Sequence, residues 1–261
     1  MDRAPSLSLV CLILTTLFQA CAGGPSPRNE DPVDDTALKS DIQALDSGDA
    51  EKREKARKNI LLLGPVVCRD LGREVVGRVE DADAGPGLVC LLRLLGALGG
   101  SGAGRPLRAA ALKRPLETGI RVEAVRALGM CDAPEGPATL VECSRKGEPL
   151  PLRVAAVASL GKYVASAEAR EALRGHLALG PAVLREKSGR ALLAWGKAEL
   201  REDFKARLLD AHPGVRLVAV SYFRQHPHSS AEPLLQALAS TDPDVRIAAA
   251  AGAALGALER D

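Results

Sequence analysis

A chain of 261 residues, 46% apolar and 26% charged, is long enough to bury a core and too apolar to be disordered. Aromatic residues are only 2%, namely three Phe, two Tyr and one Trp. That excludes ring-filled barrels and sandwiches and leaves Ala, Leu, Val and Arg, the residues of closely packed helices. A net charge of +2 gives no global pull toward nucleic acid. The chain opens on a short n-region, Met1 to Ser6, with Arg3 as its one side-chain cation. Leu7 to Ala20 follows as a 14-residue run without charge. Such a run is too short to span a bilayer but suits a signal-peptide h-region.

Residues 17–24 read Leu-Phe-Gln-Ala-Cys-Ala-Gly-Gly. This resembles the lipobox of bacterial lipoproteins, in which the Cys is acylated and becomes the new N-terminus. Ala20 and Cys21 fit the pattern; Phe18 and Gln19 depart from it. The resemblance implies removal of residues 1–20 and lipid on Cys21. It also implies export as a membrane-anchored lipoprotein, facing the periplasm or the cell surface. Each buried CH₂ of such a lipid contributes about 0.8 kcal/mol to anchoring. Residues 21–36, rich in Pro, Gly and acid, are expected to form a solvated tether.

Thr36 to Asp46 is expected to be a capping helix at the start of a body spanning 37–261. Within that body one pattern recurs: an Arg, then apolar and small residues at helical spacing, then seven positions after the Arg a Leu, replaced by Phe223 and Ala253 in the last two copies. Its copies start at Arg121, Arg153, Arg185, Arg216 and Arg246. A degenerate copy starts at Arg53, and another at Leu88 lacks the Arg. The spacing is 30 to 35 residues throughout, the signature of stacked supersecondary units. Second helical segments are expected at 66–79, 105–117, 135–146, 167–178, 198–209 and 229–239. In the fourth copy Leu152, Ala155, Ala156, Ser159 and Leu160 share one helix face. Pro213 and Pro243 mark helix starts. Gly129, Gly161 and Gly196 are expected to supply left-handed helix caps. Nothing alternates with period two, so the fold is all-α.

Pro233-Leu234-Leu235-Gln236-Ala237-Leu238, then Asp242-Pro243-Asp244-Val245-Arg246 and an Ala-rich helix, resembles the HEAT repeat. The short period is most similar to the HEAT-like repeats of phycobilisome-lyase-type proteins. The resemblance implies an α-solenoid of about six and a half helical hairpins, whose neighbours stack into a continuous core. Arg53, Arg121, Arg153, Arg185, Arg216 and Arg246 are expected to form a structural ladder. They would bond turn carbonyls and acids such as Asp210 and Asp242.

Chemistry-bearing residues are few. After processing, four cysteines remain: Cys68, Cys90, Cys131 and Cys143. Cys131–Cys143 and Cys68–Cys90 are conceivable disulfides in an oxidising compartment, while the alternative is buried small hydrophobes. No Cys-x-x-Cys occurs, which removes the usual zinc and redox patterns. The histidines, His176, His212, His226 and His228, lack metal-ligand spacing. The His-Glu pairs by which one HEAT-like enzyme, deoxyhypusine hydroxylase, binds iron are absent. The glycine run at 99–104 follows no strand and carries no Gly-Lys-Ser/Thr, so it reads as a loop. No catalytic residue, cofactor or metal is expected.

Charge is distributed unevenly. Residues 50–115 hold thirteen Lys/Arg against seven Asp/Glu, whereas residues 22–49 hold two against seven. Arg69, Arg73, Arg105, Arg108, Lys113 and Arg114 are a candidate basic patch on the second helices, the concave face in HEAT-like solenoids. Tyr163, Trp195, Phe204, Tyr222 and Phe223 all lie in the C-terminal half, and any one exposed would be a binding anchor. The expected function is a non-catalytic, membrane-anchored interaction scaffold of the cell envelope. Its expected partners are a protein and, through lipid on Cys21, a membrane, with no nucleic acid; the solenoid itself is expected to be a monomer. The alternatives are an enzyme or chaperone-like protein related to bilin lyases, and a structural spacer without a ligand.

Overall fold

In the computed structural model, residues 35–81, 85–100 and 102–259 are described. The export signal, Cys21 and the tether up to residue 34 lie outside them. Compactness divides the chain into residues 1–38 and 39–261. Of the first unit only the opening turn of helix α1 (Asp35–Ala44) is described; the helical hairpins belong to the second.

Hairpins of a first and a second helix succeed one another. The first helices are α2 (Ala50–Leu63), α4 (Pro86–Leu98), α6 (Thr118–Leu128), α8 (Leu150–Leu160), α10 (Ala182–Trp195), α12 (Pro213–Gln225) and α14 (Val245–Leu258). The second helices are α3 (Cys68–Glu80), α5 (Gly104–Leu112), α7 (Gly136–Cys143), α9 (Ala167–Leu179), α11 (Arg201–Arg207) and α13 (Glu232–Thr241). No strand occurs among the described residues. First helices stack on first helices from α2 to α14, and second on second from α3 to α11. Each second helix also packs on the first helix of the next hairpin. The result is a two-layer α-solenoid with its core between the layers.

Local chemistry sets the ends. Asp49 caps α2 by accepting from the amides of Glu51 and Lys52, Ser166 caps α9 through Ala169, and Asp244 caps α14 through Arg246; each satisfies an amide that has no partner inside its helix. The segment expected to run to residue 117 stops at Leu112. Pro115 ends it, because a proline cannot donate to the ladder and disfavours helical backbone before it; Lys113 is already extended. Lys113 and Arg114 therefore sit in the turn after α5, not on the helix.

The three glycines expected to be left-handed caps divide by role. Gly196 ends α10 in the left-handed region, at φ 63°. Gly129 and Gly161 keep right-handed backbone and serve closeness instead. A Cβ on Gly129 would meet the Ser159 side chain, and one on Gly161 would meet Ala191. At Gly96 an added Cβ would fall 2.8 Å from both Cα and Cβ of Ala127. These glycines stand eight residues after Leu88, Arg121 and Arg153. Each faces a small residue six positions into the following copy, and that pairing brings successive first helices together.

The core is Leu, Val and Ala. On the shared helix face of the fourth copy, Leu152, Ala155, Ala156, Ser159 and Leu160 are all buried. Among the described residues an aromatic cluster joins α11 and α12: the Phe204 and Tyr222 rings stack at 4.3 Å, and Phe223 meets Tyr222 edge-on at 5.2 Å. The Tyr222 hydroxyl donates to the Lys197 carbonyl at 2.9 Å. Tyr163 donates to the carbonyls of Leu128 and Cys131. Trp195 is half-buried under the Arg170 guanidinium, 4.8 Å from the ring centre. None of the five is an exposed anchor; all are absorbed by packing.

Candidate functional site

The ladder arginines are placed by the turn that precedes each first helix. Arg185 takes both oxygens of Asp210, at 2.7 and 2.6 Å, and donates to the Gly180 carbonyl. Arg216 takes both oxygens of Asp242, at 2.7 and 2.9 Å, and donates to the carbonyls of Asp210 and Ala211. Arg121, buried, reaches the Ala111 carbonyl and Glu148. Arg53 donates to the Ser47 carbonyl. Arg246, on the final helix, pairs among the described residues only with its own cap residue Asp244. Leu88, at the Arg position of the degenerate copy, is fully buried. The two-pronged pairs match the flat guanidinium to the flat carboxylate.

The acids respond accordingly. The Arg216 hydrogen bonds hold the Asp242 carboxyl below the usual carboxylate range. At Asp210 burial pushes upward, but the Arg185 hydrogen bonds, the His212 amide and the charges of Arg185 and Arg207 outweigh it. The N-terminal end has a counterpart. Asp46 pairs with Arg78 at 2.7 Å and accepts from the Gly87 amide, tying the turn after α1 to α3 and α4.

Arg69 and Arg73 stand exposed one turn apart on α3, and Arg105 and Arg108 stand exposed on the adjacent α5. Among the described residues Arg69, Arg108 and Lys113 have no ion pair. Arg73 lies 3.2 Å from Asp70, Arg105 3.8 Å from Glu135, and Arg114 3.4 Å from Glu148. Exposed pairs of this kind contribute little and leave the charge available. Within the glycine run, Gly102 lies against the backbone of Cys68 and Arg69.

A second cationic surface has no counterpart among the sequence motifs. Arg145, Lys146, Arg153 and His176 line an open cleft of about 700 Å³ between α7 and α9. The Ser144 hydroxyl donates to the Val141 carbonyl at 2.8 Å, so it accepts from His176 Nε2 at 2.9 Å. Burial, and then the charge of Arg153, hold the His176 pKa below its ordinary value. The unfolded chain therefore takes up a proton at higher pH than the folded one. The resulting stabilisation is complete above the ordinary His value of 6.5 and is lost as pH falls below it. Between pH 7 and 5 thermal unfolding should shift to lower temperature for the wild type and less for His176→Gln, as followed by circular dichroism.

The cysteines Cys68, Cys90, Cys131 and Cys143 are free thiols. Cys68 donates to the Gly99 carbonyl, Cys131 to Leu128 and Cys143 to Ala111. Burial pushes the Cys143 thiol up to about 11. Among the described residues no group of three His, Cys, Asp or Glu is placed to hold a metal. None of their helices is long and apolar enough to cross a membrane.

No protein-family profile and no curated protein sequence matches the chain. Solved structures do. YibA of Escherichia coli is 15% identical over 100% of both chains, with a TM-score of 0.50. Human deoxyhypusine hydroxylase in complex with glycerol is 19% identical over 87% of this chain and 97% of its own, with a TM-score of 0.39. A designed armadillo repeat protein in complex with a (KR)4 peptide is 16% identical over 85% and 99%, with a TM-score of 0.41. The fold is a HEAT-like helical-repeat solenoid. At these identities the likeness extends to the fold alone, and the solenoid's surfaces have to be read from its own residues.

Proposed function

We propose that this protein is a non-catalytic interaction scaffold, held at a membrane by lipid on Cys21 and presenting its solenoid to a protein partner in the cell envelope. The observation that carries the reading is the set of exposed cations Arg69, Arg73, Arg105 and Arg108 on adjacent second helices, of which Arg69 and Arg108 are unneutralised among the described residues. Cations left without local acids attract an acidic partner and raise its rate of encounter. The anchor rests on the uncharged run Leu7–Ala20 and the Ala20-Cys21-Ala22 sequence at its end. In that reading the solenoid acts as a monomer and needs no cofactor.

One experiment tests both halves. Cells expressing the full chain are fed labelled fatty acid and cross-linked, and the protein is recovered from the envelope fraction. The wild type should carry label and a discrete cross-linked partner. Cys21→Ala should lose the label and the membrane association. Glutamate at Arg69, Arg73 and Arg108 together should keep the label and reduce the cross-link at least tenfold, about 1.4 kcal/mol of binding. An unlabelled wild type would overturn the anchor, and undiminished cross-linking in the triple variant would overturn the basic surface.

A further inference from the structure

On the arginine ladder Arg153 lacks the carboxylate that Arg185 and Arg216 hold, and its place opens into the cleft between α7 and α9. Asp210 and Asp242 each stand two residues before the cap residue of the following first helix, His212 and Asp244 respectively. The corresponding residue before α10, whose cap is Pro181, is Leu179. Arg153 therefore meets no carboxylate. Its Nε donates to the Ser144 carbonyl at 3.2 Å, and its two terminal nitrogens have no partner among the described residues. Leu179 does not replace the lost pair with packing, since it is 91% exposed. A proline two residues later also withholds the amide that Asp210 and Asp242 each accept in their own turns.

Around the unsatisfied guanidinium the cleft collects further positive charge. Arg145 and Lys146 are exposed at its rim and without ion pairs among the described residues, His176 forms part of the wall, and no acidic residue lines it. Val141 and Leu179 supply apolar surface beside the cations. We propose that this cleft docks a carboxylate side chain of a protein partner, an Asp or Glu flanked by an apolar residue. Arg153 grips it as Arg185 grips Asp210 and Arg216 grips Asp242. The chemistry of the occupant is set by the two sister sites, where the same arginine, on the same helix position, holds a planar carboxylate with two parallel bonds. The flanking apolar residue covers Leu179, which otherwise faces water. This inference rests on the scaffold reading but uses a different surface from the arginines of α3 and α5.

The test borrows the protein's own sister site. A fluorescein-labelled peptide of residues 209–214, Leu-Asp-Ala-His-Pro-Gly, blocked at both ends, carries the side-chain carboxylate that fills the slot on Arg185. Fluorescence anisotropy with the purified full chain should give saturable binding at millimolar peptide or below. An analogue with Asn for the Asp should bind at least tenfold more weakly. Arg153→Gln should show the same loss. Leu179→Asp places a carboxylate in the empty rung, so it should also abolish peptide binding while raising the melting temperature, which separates a filled site from a damaged fold. No saturable binding, equal binding of the Asn peptide, or undiminished binding to Leu179→Asp would each overturn the proposal. So would inorganic phosphate displacing the peptide at lower concentration than acetate. If the scaffold reading itself fails, no partner is cross-linked to any variant. If only the cleft fails, the wild type and Leu179→Asp capture the partner equally.

Discussion

Arg216→Ala is expected to destabilise the folded body by about 3 kcal/mol, the lower end of the range for removing one partner of a buried ion pair. The Asp242 side chain is 1% exposed and that of Arg216 13%, so the carboxylate left behind keeps its burial and loses both guanidinium bonds. The carbonyls of Asp210 and Ala211 lose a donor at the same time. For a body of this size the melting temperature should fall by about 6–12 °C. Arg246→Ala provides the contrast. That pair is exposed, with the Arg side chain 73% accessible, and its loss should stay within about 0.5 kcal/mol. Equal shifts in the two variants would refute a ladder that works by burial. The effect also has a pH signature. Asp242 is held below its ordinary carboxylate value of 3.8 by Arg216. Its contribution is present above that value and lost as pH falls through the folded one. The wild type should therefore converge on Arg216→Ala in strong acid.

Gly96→Ala should destabilise by about 1–3 kcal/mol, the range for overfilling a packed contact. In an unobstructed helix the same change stabilises by up to about 1 kcal/mol. The sign reverses because the new methyl would meet the backbone of Ala127 at 2.8 Å, and backbone does not yield as a flexible side chain does. Gly77→Ala is the internal control. It lies inside α3 with nothing within 4 Å of the added carbon, so it should raise stability. Urea unfolding of the two variants, compared at constant slope, decides between the two signs.

The parts of the fold that are legible in the sequence are those carried by periodicity. A repeat near 32 residues and the buried face of Leu152, Ala155, Ala156, Ser159 and Leu160 are one-dimensional signals, and they lead directly to stacked helical hairpins. Gly129 and Gly161 mislead because position at a helix end suggests a left-handed cap, whereas their need is set by a neighbour a full repeat away. The early stop of α5 is written in Pro115, but apolar periodicity runs on past it and points the other way. The six basic residues can be named, but their freedom from ion pairs depends on where Asp70, Glu135 and Glu148 reach in space. The cleft at Arg153 is the hardest to see, because its signal is a residue that fails to appear. It becomes visible only when Leu179 is aligned with Asp210 and Asp242.

The concentration of rings around α9 to α12 has an optical consequence. The chain has a single Trp, Trp195, and no Phe, Tyr or other Trp occurs between residues 19 and 162. Tyrosine and tryptophan signals in near-ultraviolet dichroism and fluorescence thus arise wholly from the C-terminal hairpins, while far-ultraviolet dichroism samples helices in every one. The N-terminal hairpins are dark in the first two methods and bright in the third. A nearest-neighbour solenoid can lose one end before the other. Any lag between the fluorescence and dichroism transitions would report which end of this one opens first, with no label attached.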